Sequence, residues 1–292
     1  MKDSNKSAPN VALIGFGEAG ETFARAGSWA GHARGWDLEP ARRAAMAGCS
    51  VIAGEDATSA LADSDCTLSL VTADQAILAA EAYAPLLPKG SLWLDMNSVA
   101  PGTKQAAARA VAAAGAAYVD VAVMAPVDKK LAVPLLIAGK HAADAEAMLR
   151  ALGFTNTRVV GDSVGQASAI KLCRSVMVKG LEALTAEMVL AASSAGVLEE
   201  VLASLDASEK PIDWTSRADY NLDRMLIHGQ RRSAEMTEAA QMLRDLGIAP
   251  LMTDNTVSRQ QALGTMGISP PPEGLAAKLI AIKDRTGSEG DN

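Results

Sequence analysis

The chain has 292 residues, of which 49% are hydrophobic, 21% charged and only 3% aromatic. That is ample for a large core, and the length points to about two domains. Basic residues number 27 against 34 acidic ones, a formal charge of −7, which excludes a generic electrostatic attraction to nucleic acid or an anionic membrane surface. Cys49, Cys66 and Cys173 are scattered and read as free thiols of a reducing compartment. His32, His141 and His228 lie far apart and give no metal-ligand spacing, so no metal is expected. The polar stretch from Met1 to Asn10 lacks the apolar core of a signal peptide, and no uninterrupted apolar run reaches the roughly 18 residues of a membrane span. The expectation is a cytoplasmic protein that crosses no membrane.

The first apolar run, Val11-Ala12-Leu13-Ile14, has the pattern of a buried strand. It leads directly into Gly15-Phe16-Gly17-Glu18-Ala19-Gly20 and then into a helical segment, Glu21 to Ala26. A lone G-x-G-x-x-G is weak evidence, but strand, turn and helix together are the context that the dinucleotide fingerprint requires. Gly15 permits the tight turn, Gly17 a close approach of backbone to pyrophosphate, and Gly20 close packing of helix on strand. The helix start then offers free N–H groups to the phosphates. Asp37 stands about 20 residues further on, after a second strand pattern at His32 to Trp36, where an acidic residue binds the ribose hydroxyls and repels a 2′-phosphate. The alternative is that Asp37 only opens the turn before Pro40. NAD is therefore the expected cofactor, with NADP left open because Arg42 and Arg43 follow closely.

Further apolar runs at 66–71, 91–95, 118–123, 135–138 and 154–160 predict strands, with helices at 73–86 and 102–114 between them. Strands alternating with such helices imply βαβ units and a mostly parallel, doubly wound sheet of the Rossmann type. After Gly165 the pattern changes. Residues 166–195 carry helical periodicity without proline, a helix of roughly 45 Å, and helices are predicted at 197–207, 213–227, 230–246, 254–264 and 273–284. The expected organisation is a nucleotide-binding α/β domain at 1–163, an all-α domain at 164–284 and a flexible tail at 285–292. The long Ala-rich helix predicts a homodimer through the helical domain.

Lys171, near the start of the long helix, is flanked by Ala167, Ala169, Ile170 and Leu172. It is either a solvated surface lysine or, if partly desolvated, a group whose pKa is drawn toward neutrality and that exchanges a proton with a substrate oxygen. His228, Arg231 and Arg232 form a polar knot at the predicted start of a helix. That knot is either an anion site, since arginine binds carboxylates with paired hydrogen bonds, or a solvated cap.

The fingerprint, the segment Asp95-Met96-Asn97-Ser98-Val99-Ala100-Pro101 and the Gly165-x5-Lys171 helix, in this order, resemble the 3-hydroxyacid (β-hydroxyacid) dehydrogenase family, which includes 3-hydroxyisobutyrate and 6-phosphogluconate dehydrogenases. The resemblance covers the chain to about Leu190. The stretch Ile227 to Met236 is similar to a branch whose C-terminal domain is termed phosphogluconate-dehydrogenase-like.

The resemblance implies that Lys171 is the general acid/base, and that Asn97 and Ser98 touch substrate and nicotinamide. It also implies that Val71, Thr72 and Ala73 pass the cofactor ribose and nicotinamide. Ser175 stands where the family has an asparagine one turn after the lysine; a serine still hydrogen-bonds but reaches less far. Met124-Ala125-Pro126 replaces a Ser-Gly-Gly donor segment, and Pro126 has no N–H. Either the substrate's acid group is held elsewhere, with His228, Arg231 and Arg174 as candidates, or the substrate is bulkier and less polar beside Met124.

The implied activity is hydride transfer between NAD and the hydroxyl carbon of a 3-hydroxy acid or related β-hydroxy compound. Two alternatives stand beside it. One is reduction of an imine or a bulkier ketone, as in related imine reductases, which usually replace the lysine. The other is a non-catalytic NAD-binding regulatory protein.

Overall fold

The structure is a computed structural model that describes residues 8–208, 213–247 and 249–287. The chain divides into two compact units, Met1–Leu172 and Cys173–Asn292.

The first unit is built on an eight-stranded sheet. Its strands are β1 (Val11–Ile14), β2 (Ala33–Trp36), β3 (Ile52–Ala53), β4 (Cys66–Ser69), β5 (Leu92–Asp95), β6 (Ala117–Val123), β7 (Leu135–Ala138) and β8 (Thr157–Gly161). Their spatial order is β3-β2-β1-β4-β5-β6-β7-β8, and every neighbouring pair is parallel except β6 with β7. The expected mostly parallel, doubly wound sheet is what forms.

The strands read as unbroken apolar runs because both faces are covered. Alternate residues divide between two cores. Leu13, Leu68, Leu94 and Val119 enter one with Phe23; Ala12, Ile14, Trp93 and Tyr118 enter the other with Ala107 and Val111. Helices α1 (Glu18–Ala26), α2 (Pro40–Met46), α3 (Ala57–Leu61), α4 (Ala76–Tyr83), α5 (Pro101–Ala113) and α6 (Ala142–Ala151) connect the strands.

The strand register positions the site. Ile14 pairs with Ser69, Ser69 with Asp95, and Asp95 with Asp120. The loops after β1, β4 and β5 therefore leave the sheet along one edge, and β1 with β4 is the switch point where such folds bind nucleotides.

The sequence reading had no counterpart for β3, α2, α3 and α6. Two corrections also follow. The units divide after Leu172, within the long helix α7 (Gln166–Ser194), rather than before it. The predicted helices 213–227 and 230–246 are one helix, α9 (Trp214–Asp245), begun by Asp213 accepting from the Ser216 amide at 3.1 Å.

Gly229, which reads as a break, is instead a contact point. A Cβ there would lie 2.2 Å from Gln260 O and 2.7 Å from Gly264 Cα, so glycine lets α9 meet α10 (Leu251–Gly264) backbone to backbone. The second unit also holds α8 (Leu198–Ser208) and α11 (Leu275–Gly287). The last helix runs further than expected, and the rest of the predicted tail lies outside the described residues.

The apolar core of this unit joins Ala186, Val189, Leu222, Met225, Leu263 and Leu279. Ionised side chains are buried beside it. Arg232 holds Glu182 at 2.5 Å, Gln260 Nε2 donates to Glu182 at 3.2 Å, and Lys179 holds Glu235 at 2.9 Å.

Candidate active site

The three glycines of the fingerprint have three different constraints. Gly15 has φ +89°, and a Cβ on it would lie 2.7 Å from Leu70 O. A Cβ on Gly20 would lie 2.8 Å from Gly15 O, which would part α1 from the turn. On Gly17 a Cβ would meet nothing within 4 Å. That residue lines a cavity of about 490 Å³ at the helix start. Turn, packing and open approach are the three properties a pyrophosphate cradle needs, so these residues fit a bound dinucleotide.

The same cavity is walled by Asp37, Val71 and Thr72, three of the residues expected to meet the cofactor, and by Trp36, Gln75 and Tyr83, for which the sequence raised no such expectation. The helical spacing of Leu78, Ala79, Ala82 and Tyr83 was the available signal for the α4 wall. Phe16 is fully buried, Ala19 packs on the core, Glu18 is exposed, and Ala73 opens a short 3-10 turn.

Asp37 is fixed from two sides. Its carboxylate accepts from the Phe16 amide at 2.7 Å and the Glu39 amide at 2.9 Å. Arg43 donates to the Asp37 and Leu38 carbonyls at 2.6 and 3.0 Å, and its guanidinium lies 4.7 Å from the centre of the Trp36 ring. Arg42 lines the cavity, 3.9 Å from Glu39.

A second group of side chains gathers where β5 and β6 meet the start of α7. The Lys171 ammonium donates to Ser98 Oγ, and Lys171 is partly buried. Asn97 is 5% exposed. Its Nδ2 donates to Ser69 Oγ at 2.9 Å and Asp95 Oδ1 at 2.8 Å, which leaves its Oδ1 as an acceptor without a partner among the described residues.

Beneath them Lys104 Nζ donates to Asp95 O at 2.6 Å and Asp95 Oδ1 at 2.9 Å, and lies 3.4 Å from Asp120 Oδ1. Asp120 Oδ2 accepts from the Gly165 amide at 3.1 Å and the Ser168 amide at 3.0 Å, which caps the start of α7. The Tyr118 hydroxyl donates to Asp95 Oδ2 at 2.6 Å. Burial first, and the Asp95 charge second, hold that hydroxyl well above the usual tyrosine range, so it stays a donor. Burial likewise pushes the Cys66 thiol up to about 12, which keeps it protonated.

The remaining sequence candidates have other recorded neighbours. Met124 is half-buried and packs with Ala122, Leu136, Ala138 and Ala167. Ser175, His228 and Arg231 belong to the helical unit. Ser175 is buried and accepts from Lys179 at 3.4 Å, and Arg231 lies 4.0 Å from Glu235. The polar knot is not at a helix start: His228, Arg231 and Arg232 fall in the middle of α9, and Arg232 is committed to Glu182.

The model of the NAD binding domain of 6-phosphogluconate dehydrogenase matches residues 10–161, more than half of the chain, and a domain of unknown function (DUF1932) matches residues 192–263. The chain belongs to this NAD-binding family, and it is an NAD(P)-dependent oxidoreductase by that membership.

A conserved hypothetical protein from Sinorhizobium meliloti 1021 is 35% identical, with a TM-score of 0.75 over 96% of this chain and 97% of that one. MTH1747, a conserved protein of unknown function described as structurally similar to 3-hydroxyacid dehydrogenases, is 27% identical, with a TM-score of 0.68 over 87% and 96%. The 3-hydroxyisobutyrate dehydrogenase of Mycobacterium tuberculosis shares the fold at 15% identity, with a TM-score of 0.73 over 95% and 99%. No helix among the described residues is long and apolar enough to cross a membrane.

Proposed function

We propose that this protein is an NAD-preferring dehydrogenase acting on the hydroxyl carbon of a 3-hydroxy acid or related β-hydroxy compound, with Lys171 as general acid/base. The observation that carries this reading is the Lys171 ammonium hydrogen-bonded to Ser98, next in the chain to an Asn97 whose amide is already oriented by Asp95 and Ser69.

A bound nicotinamide supplies or accepts the hydride. In oxidation Lys171 takes the hydroxyl proton as the neutral amine; in reduction it returns that proton as the ammonium, which Ser98 holds in line. Asn97 is pre-set by two donated bonds, so it positions a substrate or cofactor group without reorganising. The half-buried Met124, in place of a segment rich in amide donors, supports a substrate that is bulkier and less polar at that point. Asp37 supports NAD: its charge is held beside the cavity, and Arg43 is engaged with backbone carbonyls and the Trp36 ring.

The test is a panel of 3-hydroxy acids and β-hydroxy amino acids, run with NAD and NADP in parallel and read by the absorbance of the reduced nicotinamide. Turnover is expected with NAD, and Lys171→Ala is expected to lower it about 10²- to 10⁴-fold while NADH affinity is retained. NADH binding with no turnover on any panel member, and no effect of Lys171→Ala, would favour the non-catalytic alternative.

The helical unit supports a homodimer. Met177, Leu181 and Leu184 are exposed at a spacing that aligns them on one face of α7, the pattern of a helix seam. A second copy of this chain is the proposed occupant of that face.

A further inference from the structure

Lys104 has 0% of its side chain exposed, and Asp95 and Asp120 are as deeply buried. The two aspartates are register partners on adjacent parallel strands, so their carboxylates start about 4.8 Å apart in backbone terms and repel without a cation between them. Each carboxylate has a second task. Asp95 Oδ1 accepts from both the backbone amide and the side-chain amide of Asn97, at 3.0 and 2.8 Å. Asp120 Oδ2 accepts from the Gly165 amide, the Ser168 amide and Ser168 Oγ, within the turn that precedes Lys171. The ammonium faces Oδ1 of both.

A buried ion pair is not needed for stability as such, because a well-packed apolar replacement is often neutral or better. What this triad does that an apolar cluster would not is join two separate arms, the Asn97–Ser98 loop and the start of α7, through one point. We propose that Lys104 is a positioning residue that fixes the Lys171 ammonium relative to Asn97. This deepens the reading given under Proposed function and rests on it.

The test uses the full-length protein. Lys104→Met combined with Asp120→Asn removes the cation together with one carboxylate, so the net buried charge is unchanged, Asp95 keeps its bonds from Asn97 and Tyr118, and the asparagine carbonyl still accepts from the α7 amides. The variant is expected to fold and bind NADH as the parent does, and to lose about 10- to 100-fold in kcat with little change in KM. Amide hydrogen exchange is expected to quicken at Asn97, Gly165 and Ser168 relative to the strand amides of Leu13 and Leu68. A uniform loss of stability would quicken all five alike.

Parental kcat in the double variant overturns the proposal, and so does faster exchange in only one arm or in neither. Lys104→Gln, which keeps a shorter donor, is expected to quicken the same three amides to a smaller degree; no change there also overturns the proposal. If the parent protein itself turns over no hydroxy acid, the activity reading fails while the exchange data still decide whether Lys104 joins the two arms.

Discussion

In the nucleotide unit Lys104 is buried between two carboxylates, and each carboxylate goes on to hold backbone amides, at Asn97 and at the start of α7. In the helical unit Arg232 and Lys179 are almost as deeply buried, yet their carboxylates, Glu182 and Glu235, sit on the neighbouring helix. The first arrangement runs side chain to side chain to backbone and ends at candidate site residues. The second runs from helix to helix, with Arg232 Nη1 and Gln260 Oε1 left without hydrogen-bond partners among the described residues, as Asn97 Oδ1 and Asp120 Oδ1 are in the first. Buried charge in one unit reaches the residues of the candidate site; in the other it joins α7 to α9. A mutation that looks equivalent in the two units should therefore be read out differently.

The largest such effect is expected at Arg232. Arg232→Met leaves Glu182 buried without its cation and should cost about 3–5 kcal/mol, measured by denaturant unfolding, with NADH affinity unchanged. Arg232→Met with Glu182→Met should recover most of the loss. A matching fall in NADH affinity would erase the distinction between the two kinds of network.

Gly229→Ala comes next. Its added Cβ would lie 2.2 Å from Gln260 O, a backbone atom that cannot swing away, and overpacking of this kind should cost about 1–3 kcal/mol. Unfolding at the parental midpoint would show that α9 and α10 are not held at that crossing.

The smallest effect on stability is expected at Leu181→Glu, on the exposed face of α7. It should stay within about 0.5 kcal/mol while the mass by sedimentation falls from dimer to monomer. A parental mass would remove the proposed seam and leave α7 with no assigned partner copy.

The two units were not equally legible. The glycine cradle could be read because Gly15 and Gly20 leave no room for a side chain while Gly17 keeps the cavity open, and because a buried parallel strand is an unbroken apolar run. The division of α9 into two helices failed for the converse reason. Glycine lowers helix propensity, so Gly229 looked like a break; only the facing Gly264 shows that the missing Cβ serves a close crossing between distant segments. β3 is two residues long and α3 five, too short for a periodic signal. Lys104 sits in Gly102-Thr103-Lys104-Gln105-Ala106, which reads as a solvated turn of helix. Its partners Asp95 and Asp120 come to it only through the pairing of β5 with β6, a non-local fact that no window of sequence contains. Asp37 was found by its distance from the fingerprint, but its bond to the Phe16 amide belongs to the folded turn alone.

The division of the chain after Leu172 has a practical corollary for anyone who dissects it. A fragment truncated there would retain the glycine turn, Asp37 and the cavity between them. Lys171 would then be the penultimate residue, on a stub of fewer than two turns whose last carbonyls have no onward amides to bind and which frays in water. Such a fragment would present the glycine turn with Lys171, the proposed acid/base, unmoored: a means of weighing nucleotide affinity in isolation, and no substitute for the full chain in a turnover assay.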